Sequence, residues 1–318
     1  MITRSNFMIK SRTIAFDWLI ATALAASLAA SAKPAAATDL FVFHQAYGGS
    51  DRLAVTENGG PDALTPVFRS RSPSAVASNG LIAVFSQSNF DSGGLFLDWF
   101  KGPTWQFAVQ VPNVGMSASP SAVALPNGGF IVFHQGYGDN GQLWYAFYDG
   151  QNWRGDVQVP GVRMSGSPSA VALPNGGFIV FHQGYAEDGT LWYAFYDGQN
   201  WRGDVQVPTV RMSASPSAVA LPNGGFSVFH QGYANDGTLW YAFYDGYQWH
   251  PDQRVPNVGM SASPSAVAQS DGSILVYHQG LGESPQLWYS YWDGSQWHPD
   301  TLIAGAYTQD SPSVVITN

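Results

Sequence analysis

Residues 164–211 read MSGSPSAVALPNGGFIVFHQGYAEDGTLWYAFYDGQNWRGDVQVPTVR, and this stretch is one copy of a module that the chain repeats. Three residue types mark the copies at a constant spacing of 48 residues: Met116, Met164, Met212 and Met260; His134, His182, His230 and His278; and Trp144, Trp192, Trp240 and Trp288. A fixed period of this length predicts a repeat architecture in which each copy is one supersecondary unit.

Each copy has the residue pattern of β-strands. In the copy that begins at Met116, strands are predicted at 121–125, 130–135, 143–148 and 153–159, separated by a Pro-Asn-Gly-Gly turn, a polar loop at 136–142 and an Asp-Gly hairpin. Four antiparallel strands per repeat, with no helical pattern between them, predict an all-β chain whose repeats are the blades of a β-propeller.

The number of copies follows from a Ser-Pro-Ser signature, which occurs at Ser72, Ser119, Ser167, Ser215, Ser263 and Ser311. We number the repeats from the N-terminus: the first starts at Leu40, and the second to sixth contain the first five of these signatures in turn. The last signature begins SPSVVITN, which supplies one strand only, whereas the first repeat starts abruptly at its second strand. We therefore expect six four-stranded blades, with seven as the alternative, in a ring that the C-terminal strand closes by completing the N-terminal blade.

The first 37 residues have the composition of a targeting segment. Basic residues precede the apolar run WLIATALAASLAASA at 18–32, and three alanines precede Thr38. This pattern predicts a secretory signal peptide at 1–37, cleaved after Ala37 or Ala32, and a single propeller domain over 38–318. We expect an extracellular or periplasmic protein; the alternative, a membrane anchor, is disfavoured because the run is short and rich in alanine.

Composition excludes several classes of protein. With 45% apolar and 14% aromatic residues the chain buries a large core, and with no cysteine it has no disulfide framework or thiolate metal site. The net charge is −9; without residues 1–37, which hold four basic residues and one acidic one, 9 basic residues face 21 acidic ones and the charge is −12. Such an acidic domain is not expected to bind nucleic acid.

Antiparallel topology gathers the repeated polar motifs at one end of each blade. Ser-Pro-Ser opens the first strand, His-Gln-Gly closes the second and Leu-Trp-Tyr opens the third, so all three meet at the same end. An indole that stacks on a pyranose, beside hydroxyl, amide and imidazole groups, suits sugar recognition. His134, Gln135 and Trp144 are neighbours across a hairpin and are predicted to line one pocket. The alternative is that Ser and His bond to the next blade and that Trp is core.

The remaining motifs indicate scaffold rather than catalysis. Asp149 stands where an Asp-Gly hairpin needs it, and Trp153 is predicted to pack between blades. The chain lacks the sialidase box and a calcium loop, and no repeat holds a distinctive pair of carboxylates of the kind that glycosidases use. We expect no enzymatic activity, no metal and no cofactor. Two alternatives remain open: a propeller glycoside hydrolase or lyase with its pocket at the central channel, and a protein-interaction scaffold.

The motif series M-S-x-S-P-S-A-V, V-F-H-Q-G, L-W-Y and D-G-x-x-W resembles the blades of the PLL-type bacterial lectins of Photorhabdus, over essentially all of 38–318. The resemblance implies multivalent binding of fucose or related sugars on glycans, in clefts between neighbouring blades. Those lectins have seven blades, whereas six are counted here. The resemblance implies sugar-binding roles for Ser119, His134, Gln135, Trp144 and Tyr145; Ser167, His182, Gln183, Trp192 and Tyr193; Ser215, His230, Gln231, Trp240 and Tyr241; and Ser263, His278, Gln279, Trp288 and Tyr289.

The first two repeats depart from this pattern. The second has Ser86 in place of His and Phe96 in place of Trp, and the first has Ala54 in the Trp position. A site that needs both His and Trp is therefore expected in four repeats.

Overall fold

A computed structural model of the chain describes residues 39–49, 51–88, 92–101, 104–138, 140–282 and 284–317. The predicted signal peptide lies outside the described residues. Among the residues that are described, no helix has the length and hydropathy needed to cross a bilayer.

The described chain is built from β-strands, as predicted. The strands are β1 Asp39–Gln45, β2 Arg52–Glu57, β3 Ala63–Phe68, β4 Ser70–Ser78, β5 Leu81–Gln87, β6 Gly94–Lys101, β7 Thr104–Gly115, β8 Ser121–Ala124, β9 Phe130–Gln135, β10 Gln142–Tyr148, β11 Trp153–Ala172, β12 Phe178–Gly184, β13 Thr190–Tyr196, β14 Trp201–Ala220, β15 Phe226–Gly232, β16 Thr238–Tyr244, β17 Trp249–Ala268, β18 Ile274–Gly280, β19 Gln286–Trp292, β20 Trp297–Tyr307 and β21 Ser313–Thr317. Short 3-10 turns follow β12 and β15.

Neighbouring strands pair antiparallel in chain order, with one exception at the chain ends. The order is β21-β1-β2-β3 in one sheet, β4 to β7 in a second, and β8 to β20 in a continuous run of pairings. The C-terminal strand β21 lies against β1 as predicted, with Val315 opposite Phe41. Residues from the two ends of the chain thus share one four-stranded sheet.

The prediction of separate fourth and first strands was wrong for β11, β14 and β17. Each is a single 20-residue strand that serves two consecutive repeats. The first half of β11 pairs with β10 and the second half with β12, and the register shifts between Ser165 and Ser169. The strand changes partner at an irregularity instead of at a separate turn, and two residues of β11, Gly161 and Gly166, have positive φ around the crossover.

The core lies between neighbouring repeats, since successive side chains of a strand point to opposite faces of its sheet. Ile131 and Phe133 of the third repeat pack with Val180 and Ala194 of the fourth in one buried cluster. The second tryptophan of each repeat packs edge-on to a phenylalanine of the preceding repeat, which confirms its predicted packing role: Trp153 with Phe85, Trp201 with Phe133, Trp249 with Phe181 and Trp297 with Phe229.

The second serine of each Ser-Pro-Ser signature links the innermost strands. Its hydroxyl accepts a hydrogen bond from a backbone amide of the next repeat: Ser74 from Ala122, Ser121 from Ala170, Ser169 from Ala218, Ser217 from Ala266, Ser265 from Val314 and Ser313 from Ala75, at 2.9–3.0 Å. The last of these bonds joins β21 to β4.

Candidate binding clefts

The first serine of each signature is also bonded to a neighbouring repeat. Its hydroxyl accepts from the amide of the equivalent serine one repeat earlier: Ser119 from Ser72, Ser167 from Ser119, Ser215 from Ser167, Ser263 from Ser215 and Ser311 from Ser263. The four serines predicted to contact sugar are half-buried. These serines therefore bond the backbone of a neighbouring repeat, which was the alternative to sugar contact in the sequence analysis.

The repeated histidines are fully buried. In the fourth repeat, Nε2 of His182 lies 2.9 Å from Oδ1 of Asp204, and Nδ1 lies 3.0 Å from the carbonyl oxygen of Gln183. The same contact joins His44 to Asp62, His134 to Asp156, His230 to Asp252 and His278 to Asp300. Both ring nitrogens thus face oxygens of the protein, which gives the imidazole a structural position beneath the surface.

Sequence reasoning missed the aspartate partners. Four of them follow the histidine by 22 residues, as Asp156 follows His134. These aspartates therefore recur every 48 residues, and this recurrence could have identified them from the sequence. The first repeat has a shorter interval because its strands are closer in sequence. A carboxylate that recurs with the core period is explained by this buried pair.

The repeated glutamines hold the crossover between repeats. They are nearly fully buried, and Nε2 of Gln135 donates to the carbonyl of Met164 at 3.4 Å, while Gln87 makes the same bond to Met116 at 3.0 Å. The side chains of Gln87 and Gln135 therefore tie the second strand of their repeat to the start of the next.

The first tryptophans of the repeats are half-buried at the end of the sheet where the polar motifs meet. Trp192 lies directly opposite His182, which confirms that the two are cross-strand neighbours. Its indole N–H donates to Oγ1 of Thr190 at 2.7 Å, and Thr190 donates to Asp188 at 2.6 Å. Trp192 shares a sheet face with Ala194, so its ring lies on the side of the third repeat.

The third repeat differs from the fourth in this network. Gln142 stands in place of Thr190, and the indole N–H of Trp144 is buried without a hydrogen-bond partner in the described part of the chain. The half-buried ring lies against Gly136.

An exposed tyrosine contacts the preceding repeat at two of these blade ends. Tyr185, which follows His-Gln-Gly in the fourth repeat, is 42% exposed and leaves no room for a Cβ at Gly141 of the third. The guanidinium of Arg163 stacks 3.6 Å from the centre of its ring. Arg211 and Tyr233 form the same pair one repeat later at 4.0 Å. We use the term rim cleft for the end of a repeat that carries its first tryptophan and the residue that follows His-Gln-Gly.

Sequence reasoning also missed these tyrosines and arginines. Tyr137, Tyr185 and Tyr233 recur at the 48-residue period directly after His-Gln-Gly, with Leu281 in the sixth repeat. All four are strongly exposed, at 62%, 42%, 48% and 59%. The recurrence of a tyrosine at one position of a polar loop could have identified these residues from the sequence.

The predicted tyrosines lie on the opposite sheet face from the first tryptophans, since the two are adjacent along a strand. Tyr145 lines a separate cleft of about 340 Å³ between the third and fourth repeats and hydrogen-bonds Trp201. Burial raises the pKa of Tyr145, nearby Tyr196 raises it further and the Trp201 hydrogen bond opposes the rise. Tyr193 is almost fully buried, while Tyr241 and Tyr289 are partly exposed. The structure thus divides the predicted Trp-Tyr pair between two clefts.

No protein-family model matches the chain, and no curated protein matches it in sequence. Similar solved structures are β-propellers. The fucose-recognising lectin of Aleuria aurantia, described as six-bladed, is 15% identical with a TM-score of 0.65, over 84% of this chain and 92% of that one. A mutant of AofleA from Arthrobotrys oligospora is 17% identical with a TM-score of 0.66, over 89% and 87%. A polysaccharide lyase, ulvan lyase, is 12% identical with a TM-score of 0.52, over 76% and 72%.

At these identities the likeness defines the fold. The chain is an all-β protein of the β-propeller class, and its four-stranded units are blades.

Proposed function

We propose that this chain is a secreted, non-enzymatic lectin that binds fucose-like pyranoses multivalently in the rim clefts between neighbouring blades. The observation that carries the proposal is the rim cleft itself. At this end of the fourth repeat a half-buried tryptophan bonds a threonine hydroxyl and an exposed tyrosine stacks on an arginine of the preceding repeat, and the tryptophan recurs in four repeats. Aromatic rings cover the apolar face of a sugar while fixed donors select its hydroxyls.

The ring proposed for this lectin has six blades and is closed by β21. The serine bonds support this, because they pass from each innermost strand to the next and return from Ser313 to Ala75. The Aleuria lectin, described as six-bladed, supports the same count.

Within each rim cleft the residues have different roles. Trp192 and its counterparts, Trp144, Trp240 and Trp288, contact the sugar directly, with Tyr185 and Arg163 as added walls of one cleft. The buried histidine is a positioning residue, since it holds the strand that carries the tryptophan and has no exposed surface. Weak binding at each cleft gives an avidity gain of roughly 10²–10⁴ on a surface that presents many glycans.

The second candidate, a glycan lyase or hydrolase, is less well supported. It needs a pair of carboxylates at the central channel, and the described residues that line the polar end of that channel include one carboxylate, Asp310, among the Ser-Pro-Ser signatures. The fucose-recognising Aleuria lectin is a more similar neighbour than the ulvan lyase, and the motif series favours a PLL-type lectin. Secretion is proposed from the composition of residues 1–37.

A glycan array probed with residues 38–318 tests the proposal. We expect fucosylated glycans to be retained, with binding competed by methyl α-L-fucoside and strongly reduced in Trp192→Ala. Tyr247→Ala is the matched control, because this tyrosine is 79% exposed at the opposite end of the blades. Absence of binding to every glycan, or release of sugar from a polysaccharide panel, would count against the lectin.

A further inference from the structure

The six Ser-Pro-Ser signatures line one common cavity. Its volume is about 300 Å³, and residues of every signature contribute to its wall. We call it the signature cavity. Among the described residues that line it there are serine hydroxyls, prolines and two charged side chains, and no aromatic ring. The lining is therefore different in chemistry from that of the rim clefts.

Most hydroxyl oxygens of the signature cavity already accept a hydrogen bond. Oγ of Ser119 accepts the amide of Ser72 at 3.1 Å, and Oγ of Ser121 accepts the amide of Ala170 at 2.9 Å. A hydroxyl that accepts from an N–H keeps its own proton as a donor. In the third to fifth repeats the protons of both signature serines have no acceptor in the described part of the chain. The cavity therefore offers hydrogen-bond donors in excess.

The series of bonds between the first serines is interrupted at one place. The amide of each earlier first serine donates to the first serine of the following signature, as Ser263 does to Ser311 at 3.0 Å. The amide of Ser311 instead donates to Oδ1 of its neighbour Asp310 at 2.7 Å.

The interruption leaves the hydroxyl of Ser72 without a partner among the described residues. Ser72 is 7% exposed and belongs to the wall of the cavity. Buried hydroxyls are normally hydrogen-bonded, so an unpaired one in a cavity wall indicates a place where a ligand binds.

Two charged residues of the wall lie next to this interruption. The residue before the first serine is Arg71 in the second repeat and Asp310 in the last signature, whereas the other four signatures have Ala118, Gly166, Ala214 and Ala262. Arg71 has a positive φ of 64°, which alanine also adopts at this position in the fifth and sixth repeats. Each charge can therefore be replaced by a residue that the same position already holds elsewhere in the chain.

Excess donors select a ligand that accepts hydrogen bonds and donates none. An anion fulfils this condition, and hydrogen bonds to a charged acceptor are roughly twice as strong as those between neutral groups. A neutral polyol brings protons of its own, for which the wall has few acceptors. A metal cation is disfavoured, because the described residues contain no group of three His, Asp or Glu side chains that could hold one.

We propose that the signature cavity is a binding site for a small inorganic anion of the halide type, which accepts from the hydroxyl of Ser72 and neighbouring signature serines and is attracted by Arg71. The site goes beyond the proposed lectin function and shares no residue with the rim tryptophans. Residues 38–318 carry a negative net charge, so the general field of the protein does not attract anions. Occupancy of the cavity therefore depends on its local donors.

Bromide soaked into crystals of residues 38–318 grown without chloride tests the location of the site, because the anomalous scattering of bromide identifies it. We expect a peak inside the signature cavity, within hydrogen-bonding distance of Oγ of Ser72. The proposal is overturned if bromide is found only outside the cavity or if water alone fills it.

Chloride affinity in solution, measured from the 35Cl NMR line width, tests the role of the two charges. Arg71→Ala is expected to weaken chloride binding about threefold, and Asp310→Ala to strengthen it by a similar factor, because the two remove opposite charges beside the same site. Loss of affinity in both variants, or no change in either, overturns the proposal.

Arg154→His is the control for this measurement, since it removes an exposed arginine at the other end of the blades. Its chloride affinity should equal that of the parent chain. A loss as large as in Arg71→Ala would show that chloride responds to net charge alone, which overturns the proposal. Glycan binding is measured on the same variants and is expected to be unchanged, so failure of the lectin proposal is seen separately.

Discussion

The backbone amide of Ala75 donates a 2.9 Å hydrogen bond to Oγ of Ser313, although 238 residues separate them in sequence. The bond repeats the one that each of the other innermost strands makes with its neighbour, for example Ala218 with Ser169. Residues from the two ends of the chain therefore meet with the same geometry as consecutive repeats do.

Replacing Ser313 by alanine is expected to lower the free energy of unfolding by about 1–2 kcal/mol, because the buried amide of Ala75 loses its acceptor. Ser169→Ala is the matched variant, since it removes the same bond between consecutive repeats. Chemical denaturation should show similar losses for the two. A loss in Ser169→Ala with none in Ser313→Ala would contradict closure of the ring through β21.

His182→Ser separates a positioning role from direct contact with sugar. The second repeat already has Ser86 at this place, so the strand tolerates serine. Loss of the imidazole leaves Asp204 without its partner, and we expect a loss of stability of about 2–4 kcal/mol. Glycan binding below the unfolding temperature should persist. Loss of binding with unchanged stability would instead make His182 a ligand of the sugar.

Arg163→Gly tests the contribution of the stacked guanidinium to one rim cleft. Glycine occupies this position in the second and fifth repeats, as Gly115 and Gly259. Removal of an exposed donor is expected to weaken sugar binding near Trp192 about 2–5-fold, the effect of one hydrogen bond, with stability unchanged. Arg154→His, which installs the residue found at His250, is the control at the other end of the blade. An equal effect of both variants would contradict a local role.

The hairpin aspartates predict a dependence of stability on pH. Backbone hydrogen bonds from Asn152 and Gln151, with Arg154, lower the pKa of Asp149, and Asn200 leads the same effect at Asp197. The unfolded chain, with an ordinary aspartate pKa of about 3.9, takes up protons first as pH falls, so stability decreases below about pH 4–5. Denaturation across pH 2.5–6 should show this fall, with a shallower slope in Asp149→Asn. An identical slope in that variant would contradict the assignment.

The period of 48 residues was sufficient to predict the strands, the propeller class and the pairing of the two chain ends. It was not sufficient to predict that β11 runs unbroken through a crossover, because strand continuity depends on backbone pairing on both sides of Ser165. The sequence placed Ser119 and His134 correctly at one end of the blade but left their contacts open. In the structure Ser119 bonds Ser72 and His134 bonds Asp156, so both side chains hold the scaffold together.

Two features depended on contacts between repeats. The exposure of Tyr185 follows from its position over Gly141, a residue of the preceding repeat. Gln253 accepts the hydroxyl of Tyr241, while the indole N–H of Trp297 in the following repeat has no partner among the described residues. Such relationships need the register between strands and the packing between blades, neither of which a single copy of the module contains.

The most direct test of the lectin proposal is the number of sugar equivalents bound per chain, measured by calorimetric titration of methyl α-L-fucoside. We predict that Trp192→Ala lowers this number by one and that replacing Trp144, Trp192, Trp240 and Trp288 together lowers it by four, while Tyr247→Ala leaves it unchanged. A folded Trp192→Ala protein that binds as many equivalents as the parent chain would contradict the rim clefts as the sugar-binding sites.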